Sequence, residues 1–289
     1  MKYGFTYEIT TNCNYYCDYC DIANKEEYSS INTVNNVIKF LTYIYNNMSD
    51  NDTMRIQIMG GEPTVHPHFE YFVNEIYKLK NIKLIIITNF SADVELYDRL
   101  CNNNTLKDLT WYLSYHENHI SLEEYMHKFD YLINKYPNIK FSPQCMLAND
   151  RKTTEEIINI FSKYNNYTNF MLSIFPIITT RVNYNNTSNI NLLDEEVVNK
   201  SDLNMTTDKN TRNSDQDKNI NCLIENSYIK SNGHLSLCFS YKDKTLLDLN
   251  SENVIKKFDI IRRMNLKCYK ITCYFKANWK CSNKDENNL

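Results

Sequence analysis

The chain has 289 residues, 42% of them hydrophobic, 23% charged and 13% aromatic, which describes a globular protein and excludes a disordered or collagen-like one. Lys and Arg total 32 against 35 Asp and Glu, a formal charge of −3, so no basic excess draws it to nucleic acid. Four glycines occur, Gly4, Gly60, Gly61 and Gly233, where average usage gives roughly twenty, and neither a three-glycine dinucleotide fingerprint nor a P-loop can be assembled from them.

The first 180 residues alternate strand-like and helix-like segments. Tyr3 to Thr10 reads as a strand, followed by a cysteine-bearing loop and a helix over Thr33 to Asn47, with Val34, Ile38, Leu41 and Ile44 at helical spacing. Met54 to Met59 is the second strand, then Gly-Gly-Glu-Pro and a helix over Phe69 to Lys80. Ile82 to Thr88 is an apolar strand of the buried parallel kind, with a helix over Ala92 to Cys101 behind it. Leu109 to Ser114, Ile139 to Met146 and Asn169 to Phe175 supply three more strands, separated by helices over Ser121 to Lys135 and Thr153 to Tyr164. His66-Pro67-His68 reads as a helix entry, and His116 and His119, in a loop after the fourth strand, read as surface histidines rather than paired ligands, with His116 on the active rim where it could touch substrate.

Six βα units predict an α/β fold, a partial (β/α)6 TIM-like barrel with all strand C-termini on one functional rim. Residues 1–181 form that core. Residues 182–221 are dominated by Asn, Asp, Ser, Thr and Lys and read as a polar linker or insertion, and residues 222–289 as a small cysteine-rich C-terminal domain. The start of the chain has no apolar stretch of signal-peptide length, and the longest aliphatic run, Leu84 to Ile87, is too short to cross a bilayer. A cytoplasmic protein with no membrane partner is expected, and ten cysteines in such a chain point to metal or catalytic thiols rather than disulfides.

Cys13, Cys17 and Cys20 lie in one loop directly after the first strand. Three thiolates on a short loop can turn onto a compact cluster, and cysteine thiolates are the usual holders of 4Fe-4S clusters. A tetrahedral zinc site would want a fourth local ligand, and no His or Cys follows until His66. Gly60-Gly61-Glu62-Pro63 follows the second strand at the same rim. Adjacent glycines there allow a ligand to approach the backbone closely, and a neighbouring carboxylate can accept hydrogen bonds from an ammonium. About one shuffled chain in twenty-five with four glycines would show such a doublet, which makes chance a weak account.

These two motifs, with the aromatic Tyr19 in the last cysteine gap, resemble the radical S-adenosylmethionine (radical SAM) superfamily over residues 3 to 180. The resemblance implies that Cys13, Cys17 and Cys20 hold a 4Fe-4S cluster whose open iron takes the amino and carboxylate groups of S-adenosylmethionine. Reductive cleavage then yields a 5′-deoxyadenosyl radical that abstracts hydrogen from a substrate. It implies further that Gly60, Gly61 and Glu62 meet the methionine ammonium, that Tyr19 packs on adenine, and that Asn89, Ser114 and Gln144 at later strand ends bind the cofactor. Such proteins often carry Thr-Asn-Gly after strand three; Thr88 and Asn89 are present here, and Phe90 replaces the glycine.

Cys222, Gly233 and Cys238 are spaced like the opening of the SPASM or Twitch auxiliary-cluster domains, with Ser231-Asn232-Gly233 as a hairpin turn. Cys268, Cys273 and Cys281 follow. The resemblance implies a second cluster on Cys222, Cys238, Cys268 and Cys273, with Cys281 as an alternative ligand, although a small zinc site uses four cysteines equally well. A flavodoxin or ferredoxin donor and a peptide, protein side chain or small-molecule substrate are expected. The competing reading, a non-catalytic zinc module that binds a partner, predicts a basic patch and a fourth local ligand for the N-terminal cysteines, and the sequence supplies neither.

Overall fold

The computed structural model describes residues 2–20, 27–147, 151–176, 205–207, 220–221, 227–236, 245–261 and 267–268. Its first half follows the alternation of the sequence: β1 (Lys2–Thr10), α1 (Ile31–Asn46), β2 (Thr53–Gly60), α2 (Phe69–Tyr77), β3 (Lys83–Thr88), α3 (Val94–Asn102), β4 (Asp108–His116), α4 (Leu122–Lys135), β5 (Lys140–Leu147), α5 (Arg151–Phe161) and β6 (Leu172–Pro176). Each of these strands pairs in parallel with the next, so their C-termini share one rim, as in a partial barrel. No helix among the described residues is long and apolar enough to cross a membrane.

Local chemistry explains the boundaries. Ser30 caps α1 by accepting from Thr33 N–H, and Ser121 caps α4 by accepting from Glu124 N–H, in a Ser-x-x-Glu stretch typical of a capping box. His68, the last residue of His66-Pro67-His68, is the N-cap of α2.

Side chains alternate across each strand, and ring contacts settle which face is which. Phe5 packs edge-on to Phe40 of α1 and Trp111 edge-on to Tyr97 of α3, and Tyr7 meets Phe72 of α2 at a tilt. That face, with Ile56, Ile58, Leu84 and Ile86, makes the core beneath the helices. The strand register puts the alternate residues on the opposite, inner face: Thr6 and Glu8 on β1, Arg55 and Gln57 on β2, Thr110, Tyr112, Ser114 and His116 on β4, Ser142 and Gln144 on β5, and Ser173 on β6.

The sheet continues beyond these six strands. Met205–Thr207 (β7), inside the stretch expected as linker or insertion, pairs in parallel with β6. At the other edge Ser227–Ile229 (β9) pairs in parallel with β1, and His234–Ser236 (β10) and Thr245–Asp248 (β11) follow antiparallel, giving the order β11-β10-β9-β1-β2-β3-β4-β5-β6-β7. The turn between β9 and β10 is the one that Ser231-Asn232-Gly233 predicted, with Gly233 at φ +83°. The segment docks on the barrel through several contacts. Tyr228 donates a short hydrogen bond to Glu8, Ser29 Oγ donates to Ser231 O at 2.7 Å, and Phe258 of α6 (Val254–Ile261) meets Phe40 edge-on. Ile220–Asn221 (β8) and Lys267–Cys268 (β12) form a separate antiparallel pair.

Candidate functional site

The rim site is assembled from the ends of β1 to β4. Past β1, the loop toward Cys13 is fastened to the end of β2 by two backbone bonds: Gly61 N–H donates to Thr10 O and Glu62 N–H to Asn12 O, both at 2.8 Å. The glycine doublet is what permits this approach. A Cβ on Gly60 would lie 2.0 Å from Thr10 O, and one on Gly61 would lie 2.2 Å from Asn12 O, contacts that no side chain tolerates. The glycines expected to admit a ligand therefore also admit the cysteine loop itself.

Glu62 is held in place by the ends of two strands. Its carboxylate is fully buried; Oε1 accepts from Thr64 N–H (3.0 Å), Thr64 Oγ (2.6 Å) and Thr88 Oγ (2.7 Å), and Oε2 accepts from Asn89 N–H (2.5 Å). Burial pushes its carboxyl above the ordinary glutamate value, against the opposing pull of the Asn89, Thr64 and Thr88 hydrogen bonds. Glu62 thus ties the end of β2 to the end of β3.

Asn89 lies at the meeting point of the site. Its Nδ2 donates to Asn14 Oδ1 at 2.9 Å and approaches Cys13 Sγ at 3.8 Å, while Oδ1 accepts from Ser91 N–H at 3.0 Å. The next residue, Phe90, adopts φ +61°, the left-handed conformation for which related turns use glycine. A bulky side chain there costs about 1–2 kcal/mol. Its complete burial against Tyr97 and Tyr125, with Lys128 Nζ donating to Phe90 O at 2.7 Å, offsets that cost. The departure from Thr-Asn-Gly leaves the turn's geometry in place.

Cys13 and Cys17 are half-buried and Cys20 is exposed. Cys13 Sγ accepts from Tyr15 N–H at 3.3 Å, and Cys20 N–H donates to Cys17 O at 2.9 Å. Burial raises the Cys13 and Cys17 thiols above the ordinary cysteine value. A bound metal would therefore have to deprotonate them. Three soft donors on one loop, with amide and imidazole groups beside the sulfurs, suit an iron-sulfur cluster. No three His, Cys, Asp or Glu side chains among the described residues are gathered around a single ion position.

Ser114 and Gln144 stand opposite one another in the β4–β5 register, with Ser173 opposite Gln144 on β6, so the structure aligns these two expected cofactor contacts in one polar row on the inner face. His116, two residues beyond Ser114, corrects the surface reading. Its ring is nearly parallel to that of Tyr19 at a centroid distance of 6.1 Å, and its Nδ1 lies 2.6 Å from Tyr19 Oη and 3.8 Å from Cys17 Sγ. Burial, reinforced by His119, pushes its pKa down to about 4, which keeps the ring neutral. His119 is exposed, as expected, and stacks on Tyr15 at 4.3 Å. Only the register of β4, which turns His116 inward with Ser114, could have revealed this from sequence.

Cys101 and Cys145 are buried core thiols, and among the described residues no group of three metal-ligating side chains forms around either. Cys222, Cys238, Cys273 and Cys281, proposed for an auxiliary cluster, lie outside the described residues, as does the side chain of Cys268 at the end of β12.

Residues 7–111, from β1 into β4 and including the three-cysteine loop and the glycine doublet, match the model of the Radical SAM superfamily. No curated protein matches the chain. Two solved structures share the fold along most of their length. One is BtrN in complex with AdoMet and 2-DOIA, with a TM-score of 0.52 and 12% identity, covering 92% of this chain and 87% of that one. The other is anSMEcpe with bound AdoMet, with a TM-score of 0.59 and 15% identity, covering 89% and 80%.

Proposed function

We propose that this chain is a radical SAM enzyme, with Cys13, Cys17 and Cys20 holding a 4Fe-4S cluster that binds S-adenosylmethionine. The observation that carries the reading is the fastening of the cysteine loop at the rim. Gly61 and Glu62 hold its base through backbone bonds, and Asn89 reaches Cys13 and Asn14 from β3. When bound, the cluster supplies one electron that splits the sulfonium of S-adenosylmethionine, giving a 5′-deoxyadenosyl radical that takes a hydrogen atom from substrate. The chain's own residues position the partners. Glu62 fixes the β2 and β3 ends relative to each other, Asn89 orients the loop, and Ser114 and Gln144 offer hydrogen bonds on the inner face.

The substrate in this proposal is a peptide or protein side chain with a polar group, because Tyr112, Ser114 and Gln144 carry hydroxyls and an amide on the inner face toward the rim. The likeness to BtrN, solved with 2-DOIA, favours a small polar molecule as the second reading. The cysteines from Cys222 onward are proposed to hold an auxiliary cluster, and a flavodoxin or ferredoxin to deliver the electron. The test is to incubate anaerobically reconstituted protein with dithionite and S-adenosylmethionine. 5′-Deoxyadenosine should accumulate, and a yield no greater than that of Cys17→Ala would overturn the reading.

A further inference from the structure

His116 reaches the cysteine loop from β4, and the motif on that loop does not account for it. Its Nδ1 is 2.6 Å from Tyr19 Oη and 3.8 Å from Cys17 Sγ, which brings the Tyr19 hydroxyl and the Cys17 sulfur to the same imidazole nitrogen. Three polar atoms from two distant parts of the chain therefore form a triangle. The near-parallel rings of Tyr19 and His116 fix its plane, and Tyr15 meets His116 edge-on at 5.9 Å beside it.

Counting hydrogens decides which way the bonds run. A phenol has one to donate, a neutral imidazole has one, and a metal-bound thiolate has none and can only accept. With Cys17 as a ligand, Tyr19 O–H donates to the sulfur and Tyr19 Oη accepts from His116 Nδ1–H. The opposite tautomer would turn an imidazole lone pair toward the thiolate at 3.8 Å, a repulsive arrangement. Hydrogen bonds aimed at the sulfurs of an iron-sulfur cluster are among the factors that set its reduction potential, because they stabilise the added negative charge of the reduced state.

We propose that His116 is a positioning residue that acts through Tyr19, directing a hydrogen bond at the Cys17 sulfur and so raising the reduction potential of the cluster held there. This rests on the radical SAM reading above. It gives Tyr19 a task through its hydroxyl that a phenylalanine could not perform, whatever its ring contributes to packing.

The experiment is an EPR-monitored redox titration of the full-length, anaerobically reconstituted chain without S-adenosylmethionine, with iron and sulfide measured on every sample. Tyr19→Phe and His116→Phe are each expected to shift the midpoint potential to more negative values at wild-type iron and sulfide content. His116→Asn, whose amide N–H can stand near the Nδ1 position, is expected to restore most of the shift. The double variant Tyr19→Phe/His116→Phe should move no further than the larger single shift, because the two residues act in series. A wild-type potential in Tyr19→Phe overturns the proposal, and so do additive shifts in the double variant. Tyr19→Phe removes one oxygen and decides the matter even where His116→Phe costs the fold. A wild-type chain that takes up no iron and sulfide overturns the radical SAM reading itself, a failure distinct from an intact cluster whose potential ignores Tyr19.

Discussion

On the helix-facing side of β4, Trp111 and Leu113 are fully buried, with Trp111 against Tyr97 of α3 and the next residue of that face, Tyr115, against Tyr125 of α4. On the other side of the same strand Thr110, Tyr112, Ser114 and His116 follow one another. A closed TIM barrel fills its interior with branched aliphatic layers. Here the inner face carries hydroxyls and amides beside Ile85 and Ile87 of β3, and two of its charged groups are buried, Glu8 bonded to Tyr228 and Arg55 near enough to Tyr112 to oppose the rise that burial imposes on that phenol. The outer face accounts for stability through apolar burial. The inner face is the one proposed here for recognition and chemistry, and the rim where the two meet holds the cysteines.

Substitutions can break this division, and the largest effect is expected on the outer face. Phe129 of α4 is fully buried and meets Phe161, Tyr164 and Phe170 edge-on and Tyr125 face-on. Phe129→Ala should cost about 3–5 kcal/mol in urea unfolding, from the lost burial and the cavity left behind. At the rim, Gly61→Ala drives a Cβ toward Asn12 O, one residue before Cys13. We expect iron content and S-adenosylmethionine affinity to fall together, because the same backbone bonds hold the loop; loss of affinity with full iron would assign the glycine to the ligand alone. The smallest effect is expected inside. Thr110 Oγ is buried without a hydrogen-bond partner, so Thr110→Val should leave stability within about 1 kcal/mol of wild type. A loss as large as that of Phe129→Ala would mean that the inner face is core after all.

The first eleven elements were legible in the sequence because hydrophobic periodicity alternates cleanly between strand and helix and because serine caps sit where helices begin. The cysteine and glycine motifs were legible because both are short and contiguous. What escaped depends on contacts between distant segments. The parallel pairing of β9 with β1 has no local signature, since Ser227–Ile229 resembles any short strand. Phe90 reads as a departure from a glycine turn until its burial shows how the left-handed conformation is sustained. His116 reads as a loop histidine until the β4–β5 register turns it inward toward Tyr19 and Cys17. The bonds that Thr88 and Asn89, a strand away, make to Glu62 likewise have no local signature.

The central claim concerns the three cysteines on the rim, and metal analysis with EPR tests it most directly. The protein, purified and reconstituted anaerobically, should contain iron and acid-labile sulfide in equal amounts. After reduction it should give a 4Fe-4S signal that changes on adding S-adenosylmethionine, and Cys13→Ala, Cys17→Ala or Cys20→Ala should abolish that change. Zinc in place of iron, or a cluster signal indifferent to S-adenosylmethionine, would contradict the account.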